Sequence, residues 1–354
     1  MVTLEEIRAA ADRIRPAAVR TPLVRVSGER LRAAGVPPLP FALWVKVESA
    51  QPIGSFKLRG AYNMAAQLPA EALTHGLITY SSGNHAQGVA YAARALGVPA
   101  LIVMPSNAPG VKIEATRALG AEIVMVGVAS SERKARAEEL AAEHGYTVVP
   151  PYDHPAIIAG QATCGLEIVE QAREAGLEAP GLVLAPVSGG GLLSGVASAV
   201  KLAAAEGGGG GQTEVWGVEP ELAGDAAESF RTGELVRWPA EKTSRTLGDG
   251  LRTESLGRLN FAHIRRFVDG IVTVSEEQIV GALRIGLQAT GLGIEPSGAV
   301  TLAAALYAAD RLPEARAVVA VISGGNIDPA LRAALTGEAA PADPVPARIR
   351  GLAG

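Results

Sequence analysis

The feature that most restricts this chain is a recurring alternation of short, unbroken apolar runs with alanine-rich stretches of helical character. The runs are Leu43–Val47, Leu77–Tyr80, Ala100–Met104, Ile123–Val126, Leu182–Val187, Val215–Val218 and Ala317–Ile322. Several are apolar at consecutive positions, the pattern of strands covered on both faces. Among the stretches between them are Gln87–Leu96, Val111–Leu119, Ser130–His144 and Leu192–Ala205. Strand followed by helix at this spacing predicts an α/β fold with parallel sheets and right-handed crossovers. A length of 354 residues predicts two lobes, since a domain usually takes roughly 150. Three strand–helix units cluster between Gly76 and Pro150, and the turn-rich segment Pro150–Pro155 follows them. The reading is therefore two lobes, each a mostly parallel sheet flanked by helices. Residues 1–75 and 153–354 form the large one and 76–152 the small one.

Bulk composition removes several function classes. Thirty-two basic against 36 acidic residues leave a net charge of −4, with no electrostatic footprint for nucleic acid. Cys164 is the single cysteine, which excludes an intramolecular disulfide and a cysteine-based zinc site, and it reads as a small buried hydrophobe. Thr3 with Glu6 three places later predicts a capped amphipathic helix to about Arg15 rather than a signal segment. No apolar run approaches the ~18 residues of a membrane span, so a soluble cytoplasmic protein is expected. Glycine is in excess: 42 of 354, about 12% against a usual value of roughly 7%. Such an excess serves either flexible connections or places where backbone must approach a ligand. Gly207–Gly211 reads as the first kind, a solvated surface loop between a helix and a strand.

Three other glycine clusters directly follow strand candidates. They are Ser81-Ser82-Gly83-Asn84-His85, Ser188-Gly189-Gly190-Gly191 and Ser323-Gly324-Gly325-Asn326. In open α/β sheets ligands bind beyond the carboxyl ends of strands, where helix N-termini present free N–H groups. Three such loops, each carrying Ser or Asn, point to a phosphate or carboxylate ligand. The second cluster lacks the third glycine of a dinucleotide fingerprint, and no Gly-Lys dipeptide supplies a Walker A loop. Lys57, one of only six lysines, follows a turn carrying Pro52 and Gly54, with Ser55 as the expected N-cap. A lysine in the first turn of a helix faces an unfavourable dipole, which lowers its pKa and favours the neutral amine that Schiff-base chemistry needs. A non-enzymatic reading also fits these loops, namely an α/β module that binds phosphate without chemistry.

In order and spacing, Ser55-Phe56-Lys57-Leu58-Arg59-Gly60, Ser82-Gly83-Asn84-His85, the glycine loop after Val187 and Ser323-Gly324-Gly325-Asn326 resemble one family. It is that of the pyridoxal-phosphate enzymes of fold type II, in the serine/threonine dehydratase and serine racemase branch. The resemblance runs from about residue 5 to residue 328. It implies β-elimination of L-serine or L-threonine to the oxo acid and ammonia. Racemisation, or dehydration of another β-hydroxy amino acid, on the same site is the alternative. It implies that Lys57 holds the cofactor aldehyde as a Schiff base, with Phe56 lining the ring and Asn84 bonding the ring oxygen. Ser188, Gly189, Gly190, Gly191 and Leu192 would cradle the phosphate, and Ser323 would meet the pyridine nitrogen, leaving it largely unprotonated. Ser81, Ser82, Gly83, Asn84 and His85 would hold the substrate carboxylate, with Lys57 and Ser82 as the catalytic pair on opposite faces. Glu219, Ala223 and Asp225 match a Mg²⁺ or Ca²⁺ site of the relatives, although two acids six apart read by themselves as a solvated loop. Glu295 is a further matched polar position near the ring, and a homodimer is expected. The chain departs from the pattern at Ser188, where the branch usually has glycine, and at Tyr152, where some relatives have Asn or Phe.

Overall fold

The computed structural model describes residues 1–337 apart from 82, 107, 109, 128–129, 178 and 207–212. Ser82, the Gly207–Gly211 loop and most of the Pro- and Ala-rich C-terminal segment thus lie outside the described residues. The strands are β1 (Leu23–Arg25), β2 (Ala42–Val47), β3 (Leu77–Tyr80), β4 (Ala100–Pro105), β5 (Glu122–Val126), β6 (Thr147–Val148), β7 (Leu182–Pro186), β8 (Glu214–Pro220), β9 (Gly270–Val274) and β10 (Ala317–Ile322). They form two α/β sheets. One runs β1-β2-β10-β7-β8-β9, and the other β5-β4-β3-β6. Every pairing is parallel except β1 with β2.

All seven expected strands form, and their burial explains why they were legible. Every residue of β4, β7 and β10 is buried, as continuous apolar runs require. The three strands without a strong signal are β1, mostly exposed at a sheet edge, β6, only two residues long, and β9, which opens on glycine and alternates in burial. Thr3 and Glu6 complete the expected capping box, and the first helix runs Leu4–Ile14. No described helix is long and apolar enough to cross a membrane.

The core of the larger sheet lies on both of its faces. Leu182, Leu184, Val318 and Ala320 point to one side, against helices Glu276–Thr290 and Pro296–Tyr307. Val183, Ala185, Val319 and Val321 point to the other, against helices Pro155–Glu174 and Gly191–Glu206. The period-two geometry of a strand makes this division automatic. Helix Pro155–Glu174 approaches its neighbours closely because glycine removes the obstructing Cβ. A Cβ on Gly160 would lie 2.6 Å from the Gly60 Cα, and one on Gly165 would lie 2.7 Å from the Val196 carbonyl oxygen. Because β2, β10 and β7 are consecutive parallel neighbours, their carboxyl ends open at one edge, and the loops that follow them are brought together.

Candidate active site

At that edge lies a cavity of about 530 Å³, within the roughly 300–1,000 Å³ typical of small-molecule sites. Its walls bring together nearly all the residues singled out above. Phe56 and Lys57 come from the loop after β2, Ser81, Gly83, Asn84 and His85 from the loop after β3, Ser188–Leu192 from the loop after β7, and Ser323 from the end of β10. Glu219, near the end of β8, and Ala223 and Asp225, just after it, lie apart from these walls.

Lys57 is the first residue of helix Lys57–Ala65. Ser55 is not its N-cap: Phe56 holds that position, and no side chain caps the helix. Ser55 instead bridges Gly324 across an isolated β-contact, and the Phe56 N–H donates to the Ser323 carbonyl at 3.0 Å. The Lys57 turn is thereby tied to the end of β10. The Lys57 amine donates to the Pro151 carbonyl at 2.8 Å and lies 5.2 Å from the Phe56 ring centre. Burial pushes its pKa down to about 8. The direction is the expected one, but desolvation causes it rather than the helix dipole.

Helix Asn84–Leu96 begins three residues earlier than its apolar pattern suggested, which sets Gly83 and Asn84 at its N-terminus. The Asn84 amide donates to Glu295 at 2.6 Å and accepts from Asn326 at 2.7 Å, so its orientation is fixed. His85 pairs its Nε2 with the Val149 carbonyl at 3.0 Å. A carbonyl can only accept, so Nε2 carries the proton. Burial, with Lys57 adding to it, holds the His85 pKa down at about 3, and the ring is neutral. Glu295 is buried, and its pKa is pushed up to about 7 by that burial and then by Asp249.

The glycine loop Ser188–Gly191 opens helix Gly191–Glu206. Gly190 adopts φ +94°, a left-handed conformation that L-residues rarely take. The Tyr152 ring occupies the space that a Cβ on Gly189 would need. Ser188 shares a hydrogen bond of 3.0 Å with Thr253. Its extra hydroxyl is therefore joined to the cavity wall. Asp153, next to Tyr152, accepts N–H bonds from Arg258 and Leu259 at 3.0 and 2.9 Å and so anchors this segment to the following helix.

Glu219 and Asp225 are not in a solvated loop. Both are buried, at 0% and 1% exposure. Burial, followed by Asp225, raises the Glu219 pKa well above the carboxylate range, while burial pushes Asp225 up to about 7. Glu219 accepts from the Ala226 and Ala227 N–H groups at 3.3 and 3.0 Å, whereas Asp225 Oδ2 has no hydrogen-bond partner. Among the described residues no group of three or more His, Cys, Asp or Glu side chains is arranged to hold a metal ion. A cation here would have to draw on backbone carbonyls as well as these two acids.

Sequence reasoning missed Lys112, Asp249, Thr253 and Ser297 among the cavity residues. Lys112 pairs with Asp249 across the cavity, from residues 137 apart in sequence. The Ser297 hydroxyl accepts from the Gly250 N–H at 2.9 Å, holding the segment that carries Asp249. None of these four carried a local signal, because each matters only through a partner distant in sequence.

A parallel α/β sheet whose glycine loops and one low-pKa lysine face a single cavity defines an enzyme site for a phosphorylated, carbonyl-bearing cofactor. The chain matches the family model described as pyridoxal-phosphate dependent enzyme over residues 14–324, and it belongs to that family. It is 38% identical over 328 residues to an L-threo-3-hydroxyaspartate ammonia-lyase of Saccharomyces cerevisiae, covering 92% of this chain and 94% of that protein. Among solved structures, a threonine deaminase from T.th. superposes with a TM-score of 0.83 at 46% identity, covering 92% of this chain and 99% of that one. Maize serine racemase superposes with a TM-score of 0.83 at 34% identity, covering 92% and 94%. The architecture is that of fold type II.

Proposed function

We propose that this protein is an ammonia-lyase that eliminates water from L-serine or L-threonine and releases the oxo acid and ammonia. The observation that carries this reading is the Lys57 amine, desolvated and set among three loops suited to a phosphate, a ring and a carboxylate. Bound pyridoxal phosphate supplies an electron sink that stabilises negative charge at the substrate Cα. Lys57 would anchor the cofactor, and its free amine would take the proton from Cα. The N–H groups at the start of helices Asn84–Leu96 and Gly191–Glu206 hold the substrate carboxylate and the cofactor phosphate respectively, with Ser81, Gly83 and His85 in the first loop and Ser188, Gly189, Gly190 and Leu192 in the second. Ser323 would hold the ring nitrogen, Asn84 the ring oxygen, and Phe56 would line the ring. Ser82 moves a proton on the opposite face, which makes racemisation the second reading, supported by the likeness to serine racemases. Residues 76–152 form a separate substrate-side lobe on this reading, and a homodimer is what the resemblance implies.

The test is to incubate the holoenzyme with L-serine, L-threonine and 3-hydroxyaspartate and to measure oxo acid against D-isomer. Oxo acid in excess supports the lyase, D-isomer in excess supports the racemase, and neither product from any of the three sinks both. Lys112 and Asp249 bear on which side chain is accepted. Their pairing neutralises the Lys112 cation inside the cavity. Asp249→Asn leaves that cation without its counter-charge. It should shift the kcat/KM ratio of 3-hydroxyaspartate over serine upward by about 10-fold, the worth of one partly desolvated ion pair. An unchanged ratio would place Lys112 outside the side-chain subsite.

Glu219, Asp225 and the Ala223 carbonyl fit a hard divalent cation, because both acids are buried and the Asp225 Oδ2 has no hydrogen-bond partner. Adding Mg²⁺ or Ca²⁺ should raise the melting temperature by several degrees, and a chelator should reverse it. A Glu219→Gln, Asp225→Asn double variant should ignore the cation. Cation stabilisation of the double variant would show that the ion binds elsewhere.

A further inference from the structure

Arg59 belongs to the motif that carries Lys57, yet it does not reach the cavity. Its guanidinium is wholly buried and fully engaged. Nε and Nη2 donate to Glu48 at 2.7 and 2.8 Å, Nη1 and Nη2 donate to Glu167 at 2.7 and 2.8 Å, and Nη1 also donates to Thr163 at 3.0 Å. Lys46, also wholly buried, donates to the same Glu167 at 2.5 Å, to Gln171 at 2.8 Å and to the Thr21 carbonyl at 2.7 Å. Two cations and two carboxylates thus form a neutral cluster joining the end of β2, the start of helix Lys57–Ala65 and the middle of helix Pro155–Glu174. Burial pushes the Glu48 pKa up, but Arg59 and Lys46 outweigh it and keep the carboxylate ionised.

A buried ion cluster is a poor source of stability, because desolvation cancels much of the attraction and apolar side chains of similar volume do as well. Its advantage is geometric: a planar fork bonded to carboxylates on two different elements leaves its own helix little freedom to rotate or slide. Here that helix begins at Lys57 and has no side-chain cap. At 100° per residue, Arg59 points about 200° away from Lys57. A turn of the helix by about 7° would carry an amine some 8 Å from its axis through about 1 Å, enough to cost up to about 100-fold in rate. We infer that the Lys46–Glu48–Arg59–Glu167 cluster is a positioning device that fixes the rotation of the Lys57 helix and so the placement of the Lys57 amine in the cavity.

This inference rests on the reading of Lys57 as the cofactor-anchoring base, and the test separates the two. Glu167→Gln and Arg59→Lys are compared with Leu283→Ala, a fully buried core change in helix Glu276–Thr290 that should lower the melting temperature without touching the cluster. Three quantities are read: kcat and KM, circular dichroism of the bound cofactor chromophore, and the pH midpoint for cofactor capture by apoprotein. In both cluster variants kcat should fall 10- to 100-fold with KM within threefold, the dichroism should weaken, and the capture midpoint should move. Leu283→Ala, at an equal or greater loss of melting temperature, should leave all three within twofold. Equal effects from Leu283→Ala, or an unchanged kcat and midpoint in a folded cluster variant, would overturn the inference. A wild-type protein that captures no cofactor on Lys57 would overturn the functional reading itself.

Discussion

Replacing Lys57 with alanine lowers turnover at least about 10⁴-fold and removes the visible absorbance band that borohydride would otherwise fix to this residue. The other two lysines of the cavity wall are engaged, Lys112 with Asp249 and Lys134 with Glu138 at 3.7 Å, and Lys46 is buried in the Arg59 cluster. The size of the effect follows from two roles in one side chain, since Lys57 both anchors the cofactor and moves the Cα proton. Its pKa of about 8 against an ordinary 10.5 sets the pH dependence. At pH 7 about one amine in ten is neutral, compared with about one in three thousand for an exposed lysine. The amine is protonated below its pKa and nucleophilic above it. Cofactor capture by the apoprotein should therefore accelerate as pH rises from 6 through 8 and level off above about 9. A midpoint near 10.5, or a loss in Lys57→Ala far short of about 10⁴-fold, would remove Lys57 from its role.

What the sequence could convey follows from how local each determinant is. Strands such as β7 and β10 are buried on both faces, so their apolar runs announce themselves without reference to any neighbour. The edge strands β1 and β9 and the two-residue β6 have no such pattern, because their existence depends on what lies beside them. The loops at Ser81, Ser188 and Ser323 were legible as ligand-facing because glycine and hydroxyl residues follow strands directly. That they meet in one cavity was not: β10 inserting between β2 and β7 joins the Ser323 and Ser188 loops, and the Ser81 loop comes to them from β3 of the other sheet. Electrostatic environment was least accessible. Glu219 and Asp225 read as solvated yet are buried, and the low pKa of Lys57 comes from desolvation that no local pattern displays. Lys112 and Asp249 acquire meaning only as a pair across 137 residues.

Gly190→Ala should weaken cofactor binding at least about 100-fold, which corresponds to about 2.7 kcal/mol, while lowering the melting temperature by only a few degrees. At φ +94° an alanine would be strained whatever its surroundings, at a cost of roughly 1–2 kcal/mol. Its Cβ would also lie 2.9 Å from both Asn260 Cβ and Leu256 Cδ2 and 3.1 Å from Ile264 Cδ1. The neighbouring loop cannot readily yield, because the Gly189 carbonyl accepts from the Asn260 amide at 2.9 Å and from the Gly257 N–H at 3.0 Å. The strain is therefore relieved by rotating the peptide units around Gly190, which turns their N–H groups away from where a phosphate would sit. Gly291→Ala supplies the comparison. Gly291 ends helix Glu276–Thr290 at φ +69°, and no atom lies within 4 Å of an added Cβ. That variant carries a similar backbone penalty and should leave cofactor affinity within about twofold of wild type. If both substitutions weaken the cofactor equally, the loss reflects general destabilisation, and the loop at Ser188–Gly191 is not the phosphate cradle.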